Sequence, residues 1–188
     1  MLVKTAFVCL AGDRTGLTET FPLMWRARDQ IPPPFWLSMG GVCITLLAAH
    51  AGACHEAAVM YDLVRGYEGR WPLAGRDAVA AVGPLAYYLG LLAAALSRFD
   101  AAAHHFEVAL EITKRTGARP HLALAQGAYG AMLARRGGAS DRQRARQLLA
   151  AALETAEQLE MKQVCTEVVA AQALLDPVPG CAGWSESN

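Results

Sequence analysis

Cys43, His50 and Cys54 are spaced by seven and four residues, so a single continuous helix would align all three on one face. Gly52 interrupts that helix, and two ligands on a fraying end make a poor zinc site, which wants three or four. A packed thiol and a half-exposed imidazole are expected there instead. His104 and His105 are adjacent and splay about 100° apart on a helix. One is expected on the surface and the other at a helix interface. Nucleophile and phosphate chemistry find no better support. Trp36-Leu37-Ser38-Met39-Gly40 is the nearest approach to a nucleophile elbow, but it lacks the first glycine that permits the strained turn. Gly127-Ala128-Tyr129-Gly130 has no lysine to complete a phosphate-binding loop and reads as a helix-packing pattern.

The charged residues point to surface roles. Glu107 and Glu111 share a helix face, with Lys114 and Arg115 within one turn of Glu111, a pattern that stabilises a solvated helix. Arg135, Arg136, Arg142, Arg144 and Arg146 crowd a short segment opposed only by Asp141, yet no aromatic residues interleave for base stacking. The whole chain has 17 basic and 17 acidic residues. A nucleic-acid binder needs a surplus of positive charge, so direct nucleic-acid contact is not expected. No catalytic residue, metal ligand or cofactor is assigned, and the chain is expected not to be an enzyme.

The elements come next. Hydrophobic residues make up 54% of the 188 and charged residues 18%, which excludes a chain that is itself a disordered acidic or basic tail. Alanine and leucine dominate over aromatic residues, favouring close-packed helices over strands. Five cysteines without a CxxC pair indicate neither a disulfide framework nor a thiolate zinc site, and they fit a reducing cytoplasm. Asp13 and Arg14 cut the apolar N-terminal run too early for a signal peptide. Ala78 to Ser97 carries no charge over twenty residues, long enough for a membrane span. Gly83-Pro84 divides it, and Leu85 to Ser97 is too short to cross a bilayer, so a buried helix is expected.

Internal repetition organises the rest. Residues 84–116 read as two helices broken at Ser97-Arg98-Phe99-Asp100, with Asp100 as cap and Ala102, Phe106, Ala109 and Leu110 as one apolar stripe. A second copy covers 120–161. It breaks at Gly137-Gly138, restarts at Ser140 as a capping box, and repeats the stripe as Ala145, Leu149, Ala152 and Leu153. A weaker copy over 36–67 places Ala57, Tyr61 and Val64 in the same roles. Gly90 and Gly130 are equivalent mid-helix glycines, each costing about 1 kcal/mol of helix propensity, so close helix approach is expected as compensation. A closing helix over 163–175 would cap the array. Residues 68–82 form a Gly/Pro-containing insertion, 1–35 an irregular or incomplete leading segment, and 176–188 a disordered tail.

At Leu89-Gly90, Ala102, Phe106 and Ala109 the chain resembles the tetratricopeptide-repeat family. It departs from that pattern at Ala86, where the family favours tryptophan, and at Lys114, where it favours proline. The resemblance implies an all-α fold of antiparallel hairpins stacked as a short right-handed solenoid. Over Trp36 to Gln163 the chain is also similar to the C-terminal helical tail of large bacterial regulators that join a signal-transduction ATPase to an adenylate-cyclase or LuxR-type module. That similarity implies a non-catalytic interaction or regulatory part of a signalling or transcription-regulator system, its partner being a protein or an upstream ATPase or regulatory domain. By alignment to the repeat, Tyr87, Gln126 and Arg135 are expected to face a partner-binding groove. The rival expectation is a small-molecule-sensing helical domain controlling a linked ATPase or cyclase. A cytoplasmic location without membrane contact is expected, with self-association through the apolar ends of the array.

Overall fold

The computed structural model describes residues 25–26, 54–74 and 80–175. The leading segment apart from residues 25–26, the first helix of the weakest copy with Ser38, Cys43 and His50, and the 176–188 tail lie outside the described residues. Among the described residues from Cys54 onward, six helices follow one another: α1 (Cys54–Val64), α2 (Leu85–Ala95), α3 (Phe99–Thr116), α4 (Arg119–Arg136), α5 (Ala139–Gln158) and α6 (Lys162–Gln172). A 3-10 turn (Arg65–Tyr67) extends α1. The insertion holds a short antiparallel pair, β1 (Leu73–Ala74) and β2 (Ala80–Ala81), which the all-helical expectation did not include. Two residues per strand suffice to turn the chain back; the architecture is all-α.

Helix ends explain why the chain breaks where it does. Arg98 N–H donates to the Ala93 carbonyl at 2.8 Å, Ala118 N–H to Thr113 at 3.0 Å, and Met161 N–H to Ala156 at 2.8 Å. Each bond spans five residues and satisfies a carbonyl left over at a helix C-terminus. The chain reverses at these three points through Ser97, Gly117 and Glu160, all at positive φ. Pro120 enters α4 in its first turn, where its missing N–H costs nothing.

Two expected caps are corrected. Asp100 lies inside the first turn of α3 but makes no cap; Arg98 holds that position, and the Asp100 carboxylate meets Arg136 at 3.2 Å. Ser140 is exposed within α5, whose cap position is Gly138. Asp141 governs this start. Its carboxylate accepts the Gly138 N–H and takes two bonds from Arg136, both at 2.7 Å. The Arg136 guanidinium holds the Asp141 carboxyl below the usual carboxylate range. Ser140→Ala is therefore expected to change stability by less than about 0.5 kcal/mol in urea unfolding. A loss near the ~1 kcal/mol typical of a removed cap would show that Ser140 does cap α5.

The stripes face the core as their spacing demands. Ala102, Phe106, Ala109, Ala145, Leu149 and Ala152 are fully buried, and Ala57 and Val64 join them from α1. Both mid-helix glycines permit close approach. A Cβ on Gly90 would lie 2.6 Å from a Phe106 ring carbon, and one on Gly130 would lie 2.7 Å from Cγ of Leu149. The uncharged stretch becomes β2, a turn at Gly83 with φ 101°, and the eleven-residue α2, eight of whose residues are buried. Among the described residues, no helix is long and apolar enough to cross a membrane. The insertion is anchored by His121, whose ring touches Gly83 and meets Trp71 edge-on at 5.5 Å. Burial lowers the affinity of His121 for a proton.

Hairpins α2–α3 and α4–α5 pack pairwise. Between the hairpins α4 packs mainly on α3, with α2 touched only lightly, and α4 also packs on α6; α3 and α5 meet through Arg144 and Glu107. Each helix thus packs chiefly on its neighbours in sequence, and α1 packs on α2.

Candidate functional site

The densest gathering of chemically capable side chains lies where α1 and the insertion meet α3. His105 is on the inward side of α3, one position before Phe106, and is 7% exposed. Its Nδ1 bonds the Glu68 carboxylate, and its Nε2 lies 2.8 Å from the Tyr61 hydroxyl. A neutral imidazole satisfies both bonds when Nδ1–H donates to Glu68 and Nε2 accepts the Tyr61 O–H. The Tyr61 ring meets His105 edge-on at 5.5 Å, and the Arg98 guanidinium lies 5.4 Å from the Tyr61 ring centre.

His104 is exposed, as the splay of adjacent helical residues requires, but its ring turns back to lie 5.5 Å from that of His105. Its Nε2 nevertheless comes within 3.7 Å of Glu68. Both histidines reach one carboxylate because they use different nitrogens. His105 offers the near nitrogen of a buried ring; His104 offers the far nitrogen of an exposed one. The donor atoms of Glu68, His104 and His105 all fall within 4.8 Å of one another, a set able to hold a cation. Chemically, carboxylate, imidazole and hydroxyl in line can either polarise the phenolic O–H or fix the imidazole for ligation.

Residue spacing singled out the two histidines but not their partners. Glu68 and Tyr61 lie 37 and 44 residues from His105 in the chain. Tyr61 was legible only as the counterpart of Phe106 in an apolar stripe, and Glu68 only as the start of the insertion.

The three expected groove residues sit on first helices at different levels. Tyr87 is half-buried at the start of α2, with its ring 5.0 Å from Tyr88 and 6.5 Å from Phe106. Gln126 is half-buried in mid-α4, and its Oε1 is shut off from water without a hydrogen-bond donor. Arg135 is exposed in the last turn of α4. Two of the five clustered arginines, Arg136 and Arg144, meet carboxylates within the fold, and a third meets a backbone carbonyl. Arg136 serves Asp141 and Asp100, Arg144 reaches Glu107 at 3.4 Å, and Arg146 donates to the Leu175 carbonyl at 3.4 Å. Burial, with the Glu107 carboxylate beside it, pushes the Tyr129 phenol up to about 12, so it stays protonated at neutral pH. An open depression lined by Ser97, Arg98, Asp100 and Arg136 has its arginine charge partly cancelled by Asp100.

No family model, curated protein or solved structure matches this chain.

Proposed function

We propose that this chain is a non-catalytic protein-interaction module of a bacterial signalling or transcription-regulator system, built as a TPR-like stack of hairpins. One observation supports it most: successive helices pack in pairs, α2 with α3 and α4 with α5, and α4 bridges to its neighbours on both sides, packing on α3 and on α6. Stacking of this kind turns the first helices into a wall wide enough for a partner segment. On this reading Tyr87, Gln126 and Arg135 line that wall. The similarity to the helical tails of ATPase-linked regulators suggests the kind of partner, a regulatory domain or an upstream ATPase.

A photo-cross-linking residue placed at Arg135 is expected to give a covalent adduct with one discrete protein in cells. The same residue at Glu157, exposed on the second helix α5, is expected to give none. Tyr87→Ala should lower the yield at position 135 while the far-ultraviolet circular dichroism persists. Equal yields from positions 135 and 157, or no adduct from 135, would reject the wall as the docking face.

A further inference from the structure

We infer that Glu68, His104 and His105 form a zinc site of three protein ligands with a fourth position open to solvent. This goes beyond the interaction reading and does not rest on it. Two imidazole nitrogens and one carboxylate suit zinc, which accepts nitrogen and oxygen donors equally. They do not suit magnesium or calcium, which want all-oxygen shells. Tetrahedral zinc with bonds near 2.0–2.1 Å places its ligands about 3.3 Å apart. His104 Nε2 and Glu68 Oε1 already stand at 3.7 Å, and all three donors lie within 4.8 Å. The ion replaces the hydrogen shared by His105 Nδ1 and Glu68, and those two donors spread slightly to admit it. Glu68 is free to give, since it follows a 3-10 turn at an insertion and not the middle of a helix.

The surroundings of His105 fit ligation as well as its position does. A ligating imidazole is held by a hydrogen bond from its other nitrogen. With zinc on Nδ1, the neutral ring releases its Nδ1 proton and takes one up from solvent at Nε2, where Tyr61, 2.8 Å away, becomes its acceptor as the phenolic hydrogen turns away. Zinc thus reverses the direction of the Tyr61–His105 bond without moving either side chain. His104, with 66% of its side chain exposed, leaves the fourth position for water or an exchangeable ligand. The bound ion ties the end of α1 to α3, two elements otherwise joined through Tyr61 and His105.

The test uses the full chain, titrated with zinc against a competing chelator, and with cobalt as a coloured probe. One zinc per chain with micromolar or tighter affinity is expected, and the cobalt form should show the strong visible absorption of a four-coordinate ion. Glu68→Gln and His104→Ala should each weaken binding at least about tenfold; both side chains reach solvent, so folding is preserved. Tyr61→Phe, a positioning change, should weaken zinc by about 10–100-fold and leave the cobalt spectrum in place. His50→Ala should bind as the unaltered chain does. Wild-type affinity in either Glu68→Gln or His104→Ala, or a loss as large in His50→Ala, overturns the site.

Discussion

Phe106→Ala is expected to lose about 3–5 kcal/mol of stability in urea or thermal unfolding. Phe106 is fully buried, stacks on Tyr129 with ring centres 5.6 Å apart, and fills the notch left by Gly90. Its removal leaves a cavity bounded by three helices that short connections hold in place, so little collapse can offset the loss. A second change makes the expectation sharper. Gly90→Ala alone should destabilise the chain, because its new Cβ would lie 2.6–2.9 Å from three carbons of the Phe106 ring. In the Phe106→Ala background that obstacle is gone, and Gly90→Ala should instead gain up to about 1 kcal/mol from helix propensity. A reversal of sign between the two backgrounds is the signature of contact. Additive effects would show that α2 and α3 do not meet through this pair.

Asp141→Asn is expected to cost about 1–3 kcal/mol at neutral pH. The amide keeps the size of the carboxylate and can still accept the Gly138 N–H. It cannot hold the charge that draws two bonds from Arg136 at 2.7 Å. Asp141 is buried and its side chain stands between the end of α4 and the start of α5, so the pair fixes the angle of that hairpin. The pH dependence follows from the depressed carboxyl of Asp141. A group whose proton affinity is lower when folded contributes stability above its unfolded pKa and loses it as pH falls through the folded one. The stability gap between the unaltered chain and Asp141→Asn should therefore be flat from neutral pH down to about pH 5 and shrink below about pH 4. A gap that stays constant into strong acid would mean that the charge on Asp141 contributes nothing.

Helix periodicity was legible in the sequence to a useful degree because it is a local property. The stripe Ala102, Phe106, Ala109, Leu110 repeats as Ala145, Leu149, Ala152, Leu153, and burial follows it except at Leu153, which is only partly buried. The breaks at Ser97 and Gly137 were legible for the same reason, since a helix ends by local bonds and left-handed residues. Cap identity was not. Asp100 and Ser140 are ordinary cap residues two positions too late, and Arg136 draws the two carboxylates nearby, Asp100 and Asp141, to itself. A cap competes with every other partner its side chain can reach, and that competition is tertiary.

The candidate site divides along the same line. Composition and spacing determined an alanine- and leucine-rich helical chain, the division of Ala78 to Ser97 at Gly83, and the opposite fates of His104 and His105 on one helix. Only the tertiary structure decided what those histidines meet. The β1–β2 reversal and the packing of α1 bring Glu68 and Tyr61 across 37 and 44 residues of chain to opposite nitrogens of one imidazole. The physical reason is range: backbone hydrogen bonds and apolar periodicity act within a few residues, whereas a three-donor cluster is set by where separate elements are packed.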